Sequence, residues 1–413
     1  MSTKALARQR FLQRYLAYAF LFDFMLCYAI YTALFELRGL TATQIGGLIA
    51  FWSAAAVLLE VPSGALSDRF DRRWLLVAAP LVKALTFVCW GIADGNVLLY
   101  GLGFFFWSAG SSLFSGTGEA LLYERLDTDG EAHQFDRALG QAGAAESIGI
   151  GAGLLLGGFV AAIDMELTVW LSIPPLLLGA VVALALRDVR TGGSNDDPSD
   201  LASDLASDES EDDGPRATYV ENFRIAAAEF VREPALRTVT LYVACGLIVF
   251  EVLEEFEQLY YLAVQLPIWL YGVVGAAALG ANALASVSAH RFAGTPHIAW
   301  STPLLGGALF VLAAMGSTPV FVLVLLLAYV AVTPVTVLSE AHFQALQEGR
   351  SRATTTSLMV VAQNVVGIVV TIGFGVLADA VGIRAAYGWA GLTMLPLAAW
   401  TWWQQRRGRS PIG

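Results

Sequence analysis

The chain has 413 residues, 56% of them hydrophobic and 14% charged, with a formal net charge of −11 and a mean hydropathy of +0.62. Soluble domains are about a quarter charged, so these values exclude a soluble globular fold and make lipid the solvent for most of the chain. Long unbroken runs of Leu, Ala, Val and Gly also exclude a membrane β-barrel, whose strands alternate over roughly ten residues; they leave helices of about 20 residues each.

Residues 1–14 carry Lys4, Arg8, Arg10 and Arg14 and read as a basic tail. The apolar run after them is long enough to span, so no cleavable signal peptide is expected. Twelve spans are predicted near 15–36, 44–66, 74–93, 97–121, 138–162, 167–187, 237–262, 268–290, 298–316, 318–340, 353–377 and 384–403. Between spans six and seven, Thr191 to Pro215 is rich in Gly, Ser and Asp and cannot bury a core; a disordered linker is expected. After it, Val220, Phe223, Ala227 and Phe230 recur at helical spacing, which predicts an amphipathic helix on the membrane surface over Tyr219 to Val231. Cys27, Cys89 and Cys245 all fall within spans and form no disulfide framework or metal-binding pattern.

Basic residues in short loops set orientation. One side collects the tail, Arg69, Arg72, Arg73, Arg125, Arg137, Arg187, Arg291, Arg350, Arg352, Arg406, Arg407 and Arg409; the other collects only Arg38 and Arg384. Both termini are therefore expected in the cytoplasm of a cell-membrane protein. Trp400, Trp402 and Trp403 read as an interfacial aromatic belt. Lysine occurs only at Lys4 and Lys83. An acidic surplus with so little lysine suggests a salt-rich cytosol and a halophilic source; a GC-rich genome would favour Arg but would not explain the acid excess.

An internal repeat divides the chain. Glu119-Ala120 ends span four and Glu340-Ala341 ends span ten, 221 residues apart. Asp68-Arg69-Phe70 finds a worn copy in His290-Arg291-Phe292, 222 residues on. Arg137-Ala138 opens span five and Arg352-Ala353 opens span eleven, 215 residues apart. The expected architecture is an all-α integral membrane protein with two pseudo-symmetric six-helix bundles, 1–190 and 237–413, joined by the segment 191–236.

Gly64-Ala65-Leu66-Ser67-Asp68-Arg69-Phe70-Asp71-Arg72-Arg73 lies between spans two and three. It resembles the loop signature of the major facilitator superfamily, G-x-L-A-D-R-x-G-R-K. Ser67 stands for the usual Ala, Asp71 for the second Gly and Arg73 for the final Lys; the preceding Glu60-Val61-Pro62-Ser63 is also similar. The resemblance implies a secondary transporter whose halves are related by an axis along the membrane normal. Asp68, Arg69, Arg72 and Arg73 are expected to form a cytoplasmic gate as an ion-pair network with Glu119 or Glu124, with Glu340 and Arg291 or Arg352 as the equivalent of the second half; the resemblance implies that Asp68 also faces the N-terminus of span eleven. Topology anchoring is the plain alternative for the basic residues.

Charges inside spans are costly and mark candidate sites. Asp23 in span one either binds a cation or proton or is satisfied by a neighbouring helix. Glu251, Glu254, Glu255 and Gln258 are spaced to share one face of span seven. Carboxylates that close cannot all ionise cheaply in low dielectric, so one is expected to hold a proton, with Glu251 the deepest. Glu254, Glu255 and Glu257 read instead as a solvated face at the outer mouth. Lys83 is expected to pair with a carboxylate or meet an anionic substrate. Glu146 is a further intramembrane acid, and Gln363 and Asn364 are amides able to bond substrate or a neighbouring helix. Gly149-x-x-x-Gly153-Leu154-x-x-Gly157-Gly158 resembles the span-five motif of proton-coupled exporters, with Leu154 in place of Pro; close helix packing is the alternative. Ser112 stands where those exporters carry a span-four arginine. These features predict a monomeric secondary transporter of a small molecule, coupled to a proton or cation. It is neither an enzyme nor a nucleic-acid binder, and needs no cofactor or metal. Proton-coupled efflux leads, with metabolite import and a non-transporting sensor or scaffold as alternatives.

Overall fold

The structure, a computed structural model, describes residues 3–186, 233–295, 297–347 and 352–412. The acidic linker and the amphipathic helix expected after it lie outside the described residues. Among the described residues, ten helical stretches are long and apolar enough to cross a membrane. Spans two (Ala42–Arg69), three (Arg72–Ile92), four (Val97–Thr128), five (Phe135–Ala161), eight (Trp269–Ser288), nine (Ile298–Met315), ten (Phe321–Leu346) and eleven (Arg352–Val381) are continuous. Span six is wound in two pieces, Met165–Leu171 and Ile173–Ala183. Span seven begins at Pro234 and passes through a π-helical turn at Val243–Leu247, then Ile248–Glu254 and Glu257–Ala263. Span one is broken: Thr3–Asp23, a 3₁₀ turn at Leu26–Ala29, then Tyr31–Leu37. With span twelve, Ile383–Arg406, the expected twelve are complete.

Local chemistry sets the ends. Thr41 and Gln44 close a capping box at the start of span two. Asp71, the residue in place of the signature's second glycine, caps span three by accepting from the Arg73 N–H at 2.8 Å. The turn thus trades glycine's freedom for a cap. At the chain's far end Arg406 and Arg407 sit over the Trp402 and Trp403 rings, 3.8 and 3.7 Å from the centroids, which ties the basic end to the aromatic belt. Near the other end Arg8 pairs with Glu131 in the loop after span four, and that bond holds the Glu131 carboxyl below its usual range.

Within the first six spans, three and four, two and four, and one and five pack most closely; within the last six, nine and twelve, and nine and ten. Two seams join these groups: span two against eleven, and span five against eight. Glycines permit both. A Cβ on Gly46 would meet the Thr371 carbonyl, one on Gly375 the Ala42 carbonyl, and one on Gly158 the backbone of Trp269 and Gly272. Phe159 and Trp269 stack beside the second seam with ring centroids 6.1 Å apart.

A Cβ on Gly272 would strike the Leu154 carbonyl, a backbone atom that cannot turn aside. Gly272→Ala is expected to cost about 1–3 kcal/mol and to lower the thermal unfolding midpoint in detergent. Gly280→Ala in the same helix, with open space around the site, should be neutral or slightly stabilising; equal behaviour of the two variants would remove the seam from the account.

Candidate functional site: linked cavities between the halves

The site is built on the break in span one. Gly149, Gly153 and Gly157 recur at four-residue intervals along one face of span five, where Cβ atoms would meet the carbonyls of Phe20, Met25 and Leu26. Ser172, at the joint of span six, accepts the freed Cys27 N–H at 3.0 Å and donates to the Thr168 carbonyl at 2.7 Å. The unwound backbone is therefore held by close contact and one hydroxyl, and it carries Asp23, Tyr28, Tyr31 and Thr32 into the middle of the molecule. The glycine run read beside an exporter motif serves packing against span one and, through Gly158, span eight.

Lys83, on span three, finds its partner here. Its ammonium lies 2.8 Å from Asp23 Oδ1 and 3.3 Å from the Phe22 carbonyl. The Phe22 and Trp107 rings cover it, at 4.0 and 5.4 Å. Its side chain is 1% exposed and that of Asp23 is 18% exposed. Tyr28 also donates to Asp23 Oδ1, at 3.1 Å, which leaves Oδ2 free of protein donors among the described residues. Asp23 and Lys83 share the wall of a cavity of about 520 Å³ with Glu146 and, at its mouth, Glu119.

That cavity is the first of four with common walls. Tyr28 and Trp107 also line a pocket of about 180 Å³. Ile49, Trp52 and Glu255 connect that pocket to a third, of about 290 Å³, where Glu251, Gln363 and Asn364 stand between spans two, seven and eleven. Glu251 also reaches a fourth, of about 240 Å³, with Glu254 and Asn282. The band runs from Lys83 in the first half to Asn282 in the second.

Several expectations are corrected. Of the four groups of span seven, Glu251, Glu254 and Glu255 line adjoining cavities, while Gln258, in the helix that restarts at Glu257, does not join them. Glu251 is the most exposed of the set. Glu254, Glu255 and Glu257 are half-buried rather than a solvated rim. Tyr31 donates to Glu255, and the Asn282 amide lies 3.4 Å from Glu254. Gln258 turns fully to span one, accepting from Thr32 N and Oγ1 at 3.1 and 3.0 Å and donating to the Tyr28 carbonyl at 2.9 Å. Gln363 and Asn364 are half-buried at the cavity wall.

At the signature face, Arg72 pairs with Glu124 at 2.5 Å, one of the expected pairings, made within the first half. Glu119 is exposed and pairs with none of Arg69, Arg72 or Arg73 among the described residues. Glu340 and Arg291 are exposed, and among the described residues no ion pair joins them. Gly64 has open space around it. The side chains of Asp68 and Arg352 lie outside the described residues.

Side-chain hydrogen bonds between the halves, among the described residues, gather toward the opposite face. Besides Gln258 and Glu255 there is one contact that sequence reasoning missed. Asp379, at the end of span eleven, accepts the Ala42 and Thr43 N–H groups of the first turn of span two at 2.8 and 2.9 Å. A carboxylate at a helix N-terminus satisfies orphan donors and complements the dipole. A signal existed: Gly375-Val376-Leu377-Ala378-Asp379 repeats the Gly-x-Leu-x-Asp opening of the signature, and ends on Gly382, whose φ of +84° favours glycine. Tyr28, Tyr31, Trp52 and Trp107 were also missed. They are aromatic residues in apolar runs, and nothing in their spacing separates them from core.

The family model described as Major Facilitator Superfamily matches residues 16–371. Among solved structures, a bacterial homologue of the human lysosomal transporter Spinster, in an inward-facing, unoccupied conformation, superposes with a TM-score of 0.74 at 15% identity, covering 98% of each chain. The nucleoside transporter NupG gives 0.67 at 13% identity, over 97% of this chain and 98% of its own. A mutant form of the peptide transporter POT gives 0.65 at 16% identity, over 99% of this chain and 96% of its own. At these identities the likeness shows the fold. No curated protein matches the sequence significantly.

Removing one member of the Lys83–Asp23 pair leaves a charge without its partner. Because Lys83 is the more enclosed, Asp23→Asn should cost about 3–5 kcal/mol and Lys83→Met less, about 2 kcal/mol, since Asp23 can still reach cavity water. The double variant should recover much of the larger loss. Thermal unfolding of the three proteins checks this; additive losses would show that the pair is not coupled.

Proposed function

This chain belongs to the major facilitator superfamily, and we propose that it is a secondary active transporter, moving a small molecule by rocking its two six-helix bundles about the cavities between them. The observation that carries this reading is an asymmetry. Asp379, Gln258 and Tyr31 tie the halves together toward one face, while Glu119, Arg291 and Glu340 stand exposed at the other. A fixed scaffold has no need of a seam whose side-chain bonds, among the described residues, gather toward one face. The bundles are residues 1–190 and 237–413, linked by 191–236. The excess of arginine on the signature side puts that face and both termini in the cytoplasm of the cell membrane, so the present shape is inward-open. The gate at Asp68, Arg69, Arg72 and Arg73 then forms in the outward-open state.

Coupling to protons rests on the uncompensated carboxylates. Glu251 is exposed to cavity water, has Glu254 and Glu255 nearby, and has no cationic or hydrogen-bonding partner among the described residues. A carboxyl there exchanges a proton with one compartment at a time. Export in exchange for protons is the leading direction. Ser112 in place of an exporter's arginine favours the second reading, uptake by the same cycle. In either direction the unit is a monomer, it performs no chemistry on its cargo, and it uses no cofactor.

Asp379 is exposed, so its two bonds are worth about 1 kcal/mol in all. Spin labels at Leu37→Cys and Val381→Cys report the closed face, and labels at Phe70→Cys and Phe292→Cys the open one. In the Asp379→Ala variant the population with a separated closed face should rise roughly fivefold, with the second pair drawing together. One fixed distance for both pairs, in the parent and in the variant, would sink alternating access and favour a sensor or scaffold.

A further inference from the structure

We propose that the transported molecule is an organic cation with an aromatic or bulky apolar body, bound along the linked cavities. The proposal rests on the transporter reading and names the substrate class of that site. Charge comes first. Among the described residues Lys83 is the only basic side chain lining any of the four cavities, and it is spent: Asp23 neutralises it and two rings cover it. An anion entering the site therefore meets no available cation. Glu146 and Glu251 have neither an ion-pair nor a hydrogen-bond partner among the described residues, while Glu254 and Glu255 have only an amide and a phenol. The walls thus offer carboxyl groups with which no cation among the described residues forms an ion pair.

The second observation is independent of the acids. The aromatic faces of this site already hold an ammonium: Lys83 Nζ sits 4.0 Å from the Phe22 centroid, with Trp107 beyond it. Attraction of a cation to a ring face is strongest for Trp and survives desolvation. Trp107 continues into the bridging pocket, and Trp52 joins that pocket to the one holding Glu251 and Glu255. A cation leaving the first cavity for the second half thus passes from one indole to another, with a carboxylate beside each.

Size excludes the simplest occupant. The first cavity, about 520 Å³, falls in the range of sites for small organic ligands, far beyond a bare ion. Among the described residues no three Asp, Glu, His or Cys side chains converge closely enough to hold a metal ion. Scattered carboxylates along apolar, ring-lined walls suit a large ion of diffuse charge, whose dehydration costs little, rather than a compact one.

The test uses the purified full chain in detergent and equilibrium dialysis with tetraphenylphosphonium, with tetraphenylborate as the probe of equal shape and opposite charge. The phosphonium should bind at least tenfold tighter than the borate. Glu251→Gln and Glu146→Gln should each weaken it three- to tenfold without shifting thermal unfolding, since both side chains face cavity water. Trp52→Leu should weaken it by a similar factor, and the borate should respond to none of the three. Equal binding of the two ions, unchanged phosphonium binding in the three variants, or no phosphonium binding at millimolar concentration would overturn the assignment. The spin-label distances need no ligand. A protein that switches there but fails here remains a transporter of another class, and one that binds here but shows a single shape there is a cation sensor.

Discussion

Everything at the centre of this molecule depends on how closely span five lets span one approach. Three glycines at four-residue spacing remove the side chains that would keep the backbones apart, and the carbonyls of Phe20, Met25 and Leu26 occupy that room. Span one contains neither proline nor glycine between Asp23 and Tyr31, so its break is imposed from outside. The close contact holds it, and the Ser172 hydroxyl satisfies an amide that the break frees. From this one irregularity follow the positions of Asp23, which neutralises Lys83, and of Tyr28 and Tyr31, which carry polar contact toward the second half.

The two seams hold the halves differently. The seam of spans five and eight is backbone on backbone at Gly158 and Gly272, dry and short-range, with little tolerance of displacement. That of spans two and eleven adds Asp379, an exposed carboxylate on the amides of buried Ala42 and half-buried Thr43. Water can replace those bonds at little cost. A contact worth about 1 kcal/mol biases an equilibrium without freezing it, which is what a reversible closure requires. Spans two and eleven share a design: each ends on a Gly-x-Leu-x-Asp sequence, with Asp68 and Asp379 at opposite faces. At Asp379 the acid is received by the N-terminus of the neighbouring helix, which fastens that face.

Much of the fold was legible because lipid imposes a coarse rule. Every span had to be long and apolar, and arginines marked one side, so the count, the order and the signature turn could be read directly. The site was less legible, for identifiable reasons. Lys83 asked for a counter-charge, but its partner lies 60 residues away and was one of several intramembrane acids. The spacing of Glu251, Glu254, Glu255 and Gln258 implied a common face only if the helix was continuous, and nothing in Glu254-Glu255-Phe256-Glu257 announces a break. Asp379 lay at a span end, where a charge excites no suspicion. Trp52 and Trp107 matter for the cavities they border, a property of assembly that periodicity does not encode.

The charge pattern and the seams bear on the same step. Closing the signature face would shut the cavities from bulk water while Glu146, Glu251, Glu254 and Glu255 still lacked cations. Desolvating an ion costs several kcal/mol even after relaxation, and like charges at the seam add to that cost. The carboxylates therefore oppose closure of the empty, ionised molecule, in the same direction as the Asp379 contact of about 1 kcal/mol that fastens the opposite face. A proton removes the cost by abolishing a charge; an organic cation removes it by pairing with one. On the proposed reading either occupant permits the change of shape, and the two compete for the same groups. Exchange of one for the other across the membrane would then need no separate coupling device, because the same carboxylates that attract the proposed cargo oppose turnover of the empty molecule.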